Sequence, residues 1–235
     1  LMQYPVNVGH GFDTVIDLLK MKQIKFPDGG GKPEITDIPD AEKGKAEDMQ
    51  AALIEDLASI DEELMETYFE NGTLTEEEMQ KGLRLGIMNR SIFPVLCINA
   101  KHNMGVGRLL EFIIGSVPAP NEVPPVKTVD GKELSCDASA GLSAFVFKTS
   151  IEPHLGEVNF LKVYNGSISE GDDTMNATTR NKERISQMFA FAGKNRDKVD
   201  KVVAGDIFAT IKLKNTNTGD TLNSPKNADV QVVPI

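Results

Sequence analysis

Three short runs of this sequence hold residue types that can meet a nucleotide. Asp28 to Gly31 fits a loose Asp-x-x-Gly spacing, Gly31-Lys32-Pro33 follows it directly, and Asn181-Lys182-Glu183-Arg184 approximates Asn-Lys-x-Asp. A glycine-rich phosphate loop needs backbone amides wrapped round the anion, and a lysine followed by a hydroxyl residue. Pro33 supplies neither an amide nor a hydroxyl, and no glycine stands five positions before Gly31. Arg184 occupies the place of the carboxylate that would have to accept from a guanine edge, so the third run cannot read guanine. Three consecutive glycines after Asp28 read as a turn between strands. His10, His102 and His154 have no carboxylate or second histidine at helical ligand spacing. Cys97 and Cys136 match neither a zinc pattern nor a disulfide framework. No catalytic residue and no metal site is expected here.

The elements are organised around Pro94 to Val126. Phe93 to Ile98 is a short apolar run that reads as a buried strand of a parallel sheet. A polar loop, Asn99 to Met104, ends on Gly105, and Val106, Leu109, Leu110, Ile113 and Ile114 then recur at helical spacing. Pro118, Pro120, Pro124 and Pro125 stop the helix and extend the chain. Upstream, Tyr4 to Gly9 reads as a strand, and Met21 to Phe26 with Glu34 to Ile38 as a hairpin. Helical stripes follow. Ala46, Met49, Leu53, Leu57 and Ile60 form the first, which puts Gly44, Glu47, Asp48, Ala51 and Glu55 on the opposite face. Ser59 with Glu62, and Thr75 with Glu78, offer capping boxes for two more helices, the third burying Met79, Leu83 and Ile87.

Beyond Pro120 no long helix is expected, and the period changes to two. Leu142 to Lys148, Val158 to Tyr164 and Ile207 to Leu213 read as strands. Asn165-Gly166, Gly171-Asp172, Gly205-Asp206 and Gly219-Asp220 are the turns of a small antiparallel barrel.

Charge is distributed unevenly along the 235 residues. Glu34 to Gln80 holds 16 acidic and 2 basic residues, a balance of −14 in a chain of −10, so the remainder sums to +4. The acidic helices are either a solvated face or a docking surface for a basic partner. Thr179 to Lys201 runs the other way. Arg180, Lys182, Arg184, Lys194, Arg196, Lys198 and Lys201 oppose Glu183, Asp197 and Asp200, a balance of +4. No aromatic stands between Arg180 and Lys182, so phosphate contact is expected there rather than base stacking. Protection of an edge strand is the competing use of such residues. No run approaches the length of a membrane span, and the first residues lack a signal-peptide pattern, so a cytoplasmic chain is expected.

Several blocks resemble the middle of bacterial elongation factor G. These are Val15 to Lys22, Glu63 to Tyr68, Asn103 to Val106 with Val123 to Pro125, Val163 to Gly166, Lys182 to Ile185, Ala204 to Ile207 and Thr216 to Leu222. The resemblance implies an α+β fragment. Residues 1–92 would be an insert of a partial α/β GTP-binding domain and 93–118 its last strand and helix. Residues 119–134 would be a linker and 135–235 the β-barrel domain II. It also implies ribosome binding without GTP-binding motifs in this chain, GTP and Mg serving a longer parent GTPase. Asn99 and Ala100 fall on the family's guanine-touching Ser-Ala pair, Asn99 departing from it. Glu47, Asp48 and Glu55 would face the stalk protein of the large ribosomal subunit, and Arg180, Lys182 and Arg184 small-subunit RNA. A monomer without membrane contact is implied. The alternatives are a ribosome-protection or release-type GTPase, or a stand-alone RNA-binding or scaffold module.

Overall fold

The structure, a computed structural model, describes residues 1–233, so the last two positions of the expected barrel lie outside the described residues. The chain divides into two compact units, Leu1–Pro118 and Ala119–Ile235. Among the described residues no helix is long and apolar enough to cross a membrane.

The first unit opens with an antiparallel sheet of four strands in sequential order: β1 (Gln3–Pro5), β2 (Thr14–Asp17), β3 (Lys22–Lys25) and β4 (Glu34–Thr36). The β3–β4 hairpin sets Gln23 opposite Thr36, with Gly29, Gly30 and Gly31 in left-handed conformations at its turn. Three helices follow: α1 (Asp40–Ala58), α2 (Glu62–Asn71) and α3 (Glu76–Met88). Ala46, Leu53 and Leu57 of α1 are buried with Tyr4, Ile16, Leu83 and Phe112 in one core, against which Met49 packs. Ile54 and Ala58 widen the expected stripe.

The Thr75–Glu78 capping box forms in both directions at the start of α3. The Ser59–Glu62 box does not. The first helix continues to Ala58, leaving Ser59 as its C-cap in right-handed conformation with Oγ bonded to the Asp56 carbonyl. Asp61, in extended conformation, caps α2 instead and accepts from the Leu64 amide at 3.3 Å.

Phe93–Ile98 has no regular secondary structure and is not the buried strand its composition predicts. Met2 donates its amide to the Val95 carbonyl at 3.0 Å, while Phe93, Val95 and Ile98 remain exposed. A strand buried on both faces needs a partner on each side. Here the backbone bonds seen among the described residues run to Met2 and to the Gln3 side chain, at the start of β1. The expected helix follows as α4 (Val106–Ser116), which turns Phe112 into the core and leaves Leu110, Ile113 and Ile114 exposed.

In the second unit β5 (Val126–Lys127) pairs with β6 (Glu133–Leu134). Leu134 packs with Phe145 and Val232, so residues 126–134 lie on the sheet of this unit rather than acting as a free spacer. The remaining strands are β7 (Ser143–Glu152), β8 (Gly156–Asn165), β9 (Ser167–Ser169), β10 (Asp173–Asn176), β11 (Lys182–Arg184), β12 (Met188–Ala192), β13 (Asn195–Val199), β14 (Lys201–Val203), β15 (Ile207–Ile211) and β16 (Thr221–Asn223). Eight form an antiparallel sheet in the order β11-β10-β16-β7-β8-β15-β12-β13, and β9 pairs with β14. Both sets contribute to one barrel-like core, with Ile168 and Val202 beside Val146, Leu161, Met188, Phe208 and Leu222.

All four glycine turns are left-handed at their glycine. Gly166 shows why the type matters: a Cβ there would stand 2.6 Å from the Leu142 backbone, at φ 75°. After Pro120 the helical content among the described residues is a 3-10 turn, Pro225–Asn227.

Candidate functional site

Asn99 and Ala100 begin a closed loop. Asn99 and Met104 exchange backbone bonds at 3.0 Å in each direction, and the Asn99 carboxamide oxygen accepts from the His102 amide at 3.3 Å. Ala100 is exposed at the head of the resulting 3-10 turn. The glycine turn is fastened against this loop. Gly29 donates its amide to the His102 carbonyl at 2.9 Å, His102 Nδ1 lies 2.9 Å from Asp28, and a Cβ on Gly30 would run into the Asn103 side chain. Turn, loop and the start of α4 line a cleft of about 430 Å³ with Gly30, Asn103, Gly105 and Arg108 on its wall.

These residues do not fit a nucleotide phosphate. Two glycine amides, those of Gly29 and Gly30, are already bonded and Pro33 offers none, so no phosphate cradle forms from residues 28–33. Among the described residues no group of three His, Cys, Asp or Glu side chains is placed to hold a metal ion.

A buried ion pair, missed in the sequence, holds α4 and this loop in place. Asp17, at the end of β2, is fully buried and accepts from Arg108 Nε at 2.7 Å, Gln3 Nε2 at 3.0 Å, and the Leu19 and Lys20 amides at 3.1 and 3.0 Å. Burial alone would raise its carboxyl pKa. The Arg108 hydrogen bond and charge, with Gln3 and the Lys20 amide, outweigh that and hold it below the usual carboxylate range.

The acidic face forms as its spacing predicts. Gly44, Glu47, Asp48, Ala51 and Glu55 are all exposed along α1. The helix is tied to the sheet at its start, where the Tyr4 hydroxyl donates to Glu42 at 2.9 Å and Lys45 lies 4.0 Å above the Tyr4 ring. Burial and the Glu42 carboxylate push the Tyr4 phenol up to about 12. Of the three acids singled out, Glu55 is engaged, accepting from the Tyr68 hydroxyl at 3.3 Å.

The basic triplet is not one patch. Arg180, left-handed at φ 62°, forms an ion pair with Asp229, a carboxylate outside the basic segment Thr179 to Lys201. Lys182 and Arg184 are exposed, Arg184 standing 3.6 Å from Asp173, whereas Glu183 between them is buried. Its carboxylate accepts from the Lys214 and Asn215 amides and the Thr216 hydroxyl at 2.6–3.2 Å. Glu183 is therefore no surface counter-charge. Period-two alternation in Lys182-Glu183-Arg184 already carried that signal.

Residues 141–225, nearly all of this sheet, match the family model described as elongation factor G domain 2. Residues 141–225 of the second unit are thus similar to elongation factor G domain 2. The likeness extends well beyond it. Over 231 residues, 96% of the chain, it is 38% identical to the elongation factor G of Ureaplasma urealyticum serovar 10 and 37% identical to that of Ureaplasma parvum serovar 3. It covers 33% of each, so the chain spans about a third of the length of these curated relatives. A crystal structure from Thermus thermophilus superposes with a TM-score of 0.75 over 100% of this chain and 33% of that one. At 22% identity this match shows the fold. The resemblance to bacterial elongation factor G thus holds through the insert-like helices as well as the domain 2 sheet.

Proposed function

We propose that this chain is the ribosome-binding middle part of a translation factor of the elongation factor G type. The observation that carries the proposal is the 37–38% identity to elongation factor G proteins sustained over 96% of the chain. On this reading residues 1–92 are an insert of a GTP-binding domain, 93–118 its last strand and helix, and 135–235 domain II. GTP and Mg belong to the parent, whose guanine would lie against Asn99 and Ala100.

The exposed acids of α1 are proposed to meet the stalk protein of the large ribosomal subunit. Glu47→Lys with Asp48→Lys, which leaves the Glu55–Tyr68 bond intact, is expected to weaken stalk binding roughly tenfold at low salt. Titration calorimetry with the isolated stalk protein reads this directly. Unchanged affinity would return the face to a merely solvated one.

The edge strand β11 is proposed to meet phosphates of small-subunit RNA through Lys182 and Arg184, with Arg180 contributing less because Asp229 neutralises it. Lys182→Ala with Arg184→Ala is expected to reduce the log-log salt slope of small-subunit binding by about one to two. A second reading has a specific observation behind it: β11 ends the sheet order, where exposed cations also deter edge-to-edge pairing. If the double variant keeps both slope and affinity while aggregating faster, edge protection is the role of these residues.

A further inference from the structure

The outer face of the large sheet carries a ladder that the ribosome reading does not use. Directly opposed residues on neighbouring antiparallel strands share a face. The registers Lys198–Phe189, Phe189–Ala209, Ala209–Phe160 and Phe160–Lys148 therefore string five strands into one row, with a lysine at each end and phenylalanines between. Two residues along the strands, on the same face, Arg196 stands opposite Phe191 and Lys162 opposite Ile207. None of these positions is a carboxylate. Beyond Lys162 this second row ends at Phe145, over which Leu134 and Val232 pack, so the open part of the face lies between Phe147 and Arg196.

A register shift between Val146 and Lys148 inserts Phe147 beside the first row, which brings both Phe147 and Lys148 to the Phe160 ring. Phe147 and Phe160 lie 6.4 Å apart between ring centroids, Phe160 and Phe191 5.1 Å apart edge to face, and Lys148 Nζ is 5.4 Å from the Phe160 ring. Phe147 is 41% exposed and Ile207 57%, with the other rings half-buried beneath them. Lys198 is held by Glu170 at 2.8 Å and Lys162 lies 5.6 Å from the Tyr164 ring. At the far hairpin tip the Glu152 carboxylate accepts from the Ser150 hydroxyl.

A contiguous set of rings on a sheet, edged by cations and free of carboxylates in its rows, suits a ligand with flat π-faces joined by negative charges. An apolar helix would not call for the cations, and a duplex would not offer its base faces. We propose that this face binds single-stranded RNA, a base stacking on Phe147 over Phe160 and Phe191, with phosphates at Lys148, Lys162 and Arg196. The choice of RNA over DNA rests on the ribosome reading. No base-edge reader lines the rings, so sequence preference is weak.

The test uses the full chain and fluorescently labelled oligoadenylate, set against an abasic oligomer of equal charge, an RNA duplex of equal length and oligodeoxyadenylate. Oligoadenylate is expected to bind about tenfold tighter than the abasic oligomer or the duplex. Phe147→Leu keeps apolar bulk in an exposed bulge but removes the ring, and is expected to cost about tenfold. Lys148→Ala should flatten the salt slope by roughly 0.7. Equal binding of the abasic oligomer, full affinity in Phe147→Leu, or preference for an acidic peptide would overturn the site, and equal binding of the DNA would overturn the choice of RNA. Free oligonucleotides contain no ribosome, so failure here and failure of the ribosome reading are seen in separate experiments.

Discussion

Asp17→Ala is expected to destabilise the first unit by about 3–5 kcal/mol, because it removes the buried partner of Arg108 and leaves the guanidinium only the exposed Glu111 carboxylate, 3.7 Å away. Arg108 is only 12% exposed in its side chain, so water cannot restore what the carboxylate supplied. The Gln3 amide and two backbone N–H groups, from Leu19 and Lys20, lose their acceptor at the same time. Asp17→Asn keeps one acceptor oxygen but turns an amide nitrogen toward donors, and should cost somewhat less. Replacing both residues, Asp17→Leu with Arg108→Met, should cost less than the single alanine, since no charge is then stranded. Hydrogen exchange at the Leu19 and Lys20 amides, combined with denaturant unfolding, separates this unit from the other. A loss below about 1 kcal/mol in Asp17→Ala would show that the pair is not the clamp described.

The same pair fixes a pH dependence. The folded pKa of Asp17 is depressed below its ordinary value of 3.8. The stabilisation is therefore complete above the unfolded carboxylate range and is lost as pH falls through the lower, folded value. Acid should open the first unit earlier in Asp17→Asn than in the unmodified chain only above that value; below it the two should converge. The consequence reaches the candidate site, because Arg108 sits in the first turn of α4, directly after the loop that holds Asn99 and Ala100.

Asp17 also marks the limit of what local spacing reveals. Its guanidinium partner is 91 positions away, and β2 itself was hidden in an apolar stretch whose interior includes the buried polar residues Thr14 and Asp17. The helices were legible because a 3.6-residue period and the Thr75–Glu78 pair are local, and the exposed acids of α1 follow from rotation about one axis. Ser59 misled because it satisfies two helix ends equally well as a letter, and only the path of the chain made it a C-cap. The apolarity of Phe93–Ile98 suggests a strand, but a strand is a property of its neighbours. The glycine turns of the barrel-like sheet were legible because a left-handed φ selects glycine. The pairing of Arg180 with Asp229 depends on two turns 49 positions apart meeting, and the row of Phe189, Phe160 and Lys148 on strand register, which no single strand records.

Glu183→Ala should destabilise the second unit by about 2–4 kcal/mol. Charge-assisted bonds to a buried carboxylate are the stronger kind, and this one serves the Lys214 and Asn215 amides and the Thr216 hydroxyl together. The exposure of Lys214 and Asn215 lets water recover part of the loss, while Thr216 is buried and recovers little. Glu183→Gln retains one acceptor oxygen against those donors and should lose roughly half as much. The carboxylate also orients the edge strand, since turning Glu183 inward is what directs Lys182 and Arg184 to the opposite face. A surface acid and a buried anchor predict opposite signs here. Removing a surface acid would tighten RNA binding by relieving repulsion, with stability unchanged. Removing the anchor should release the Lys214 and Asn215 amides to exchange and leave small-subunit affinity the same or lower. Tighter binding with intact amide protection would sink the anchor assignment, and with it the account of how β11 presents its two cations.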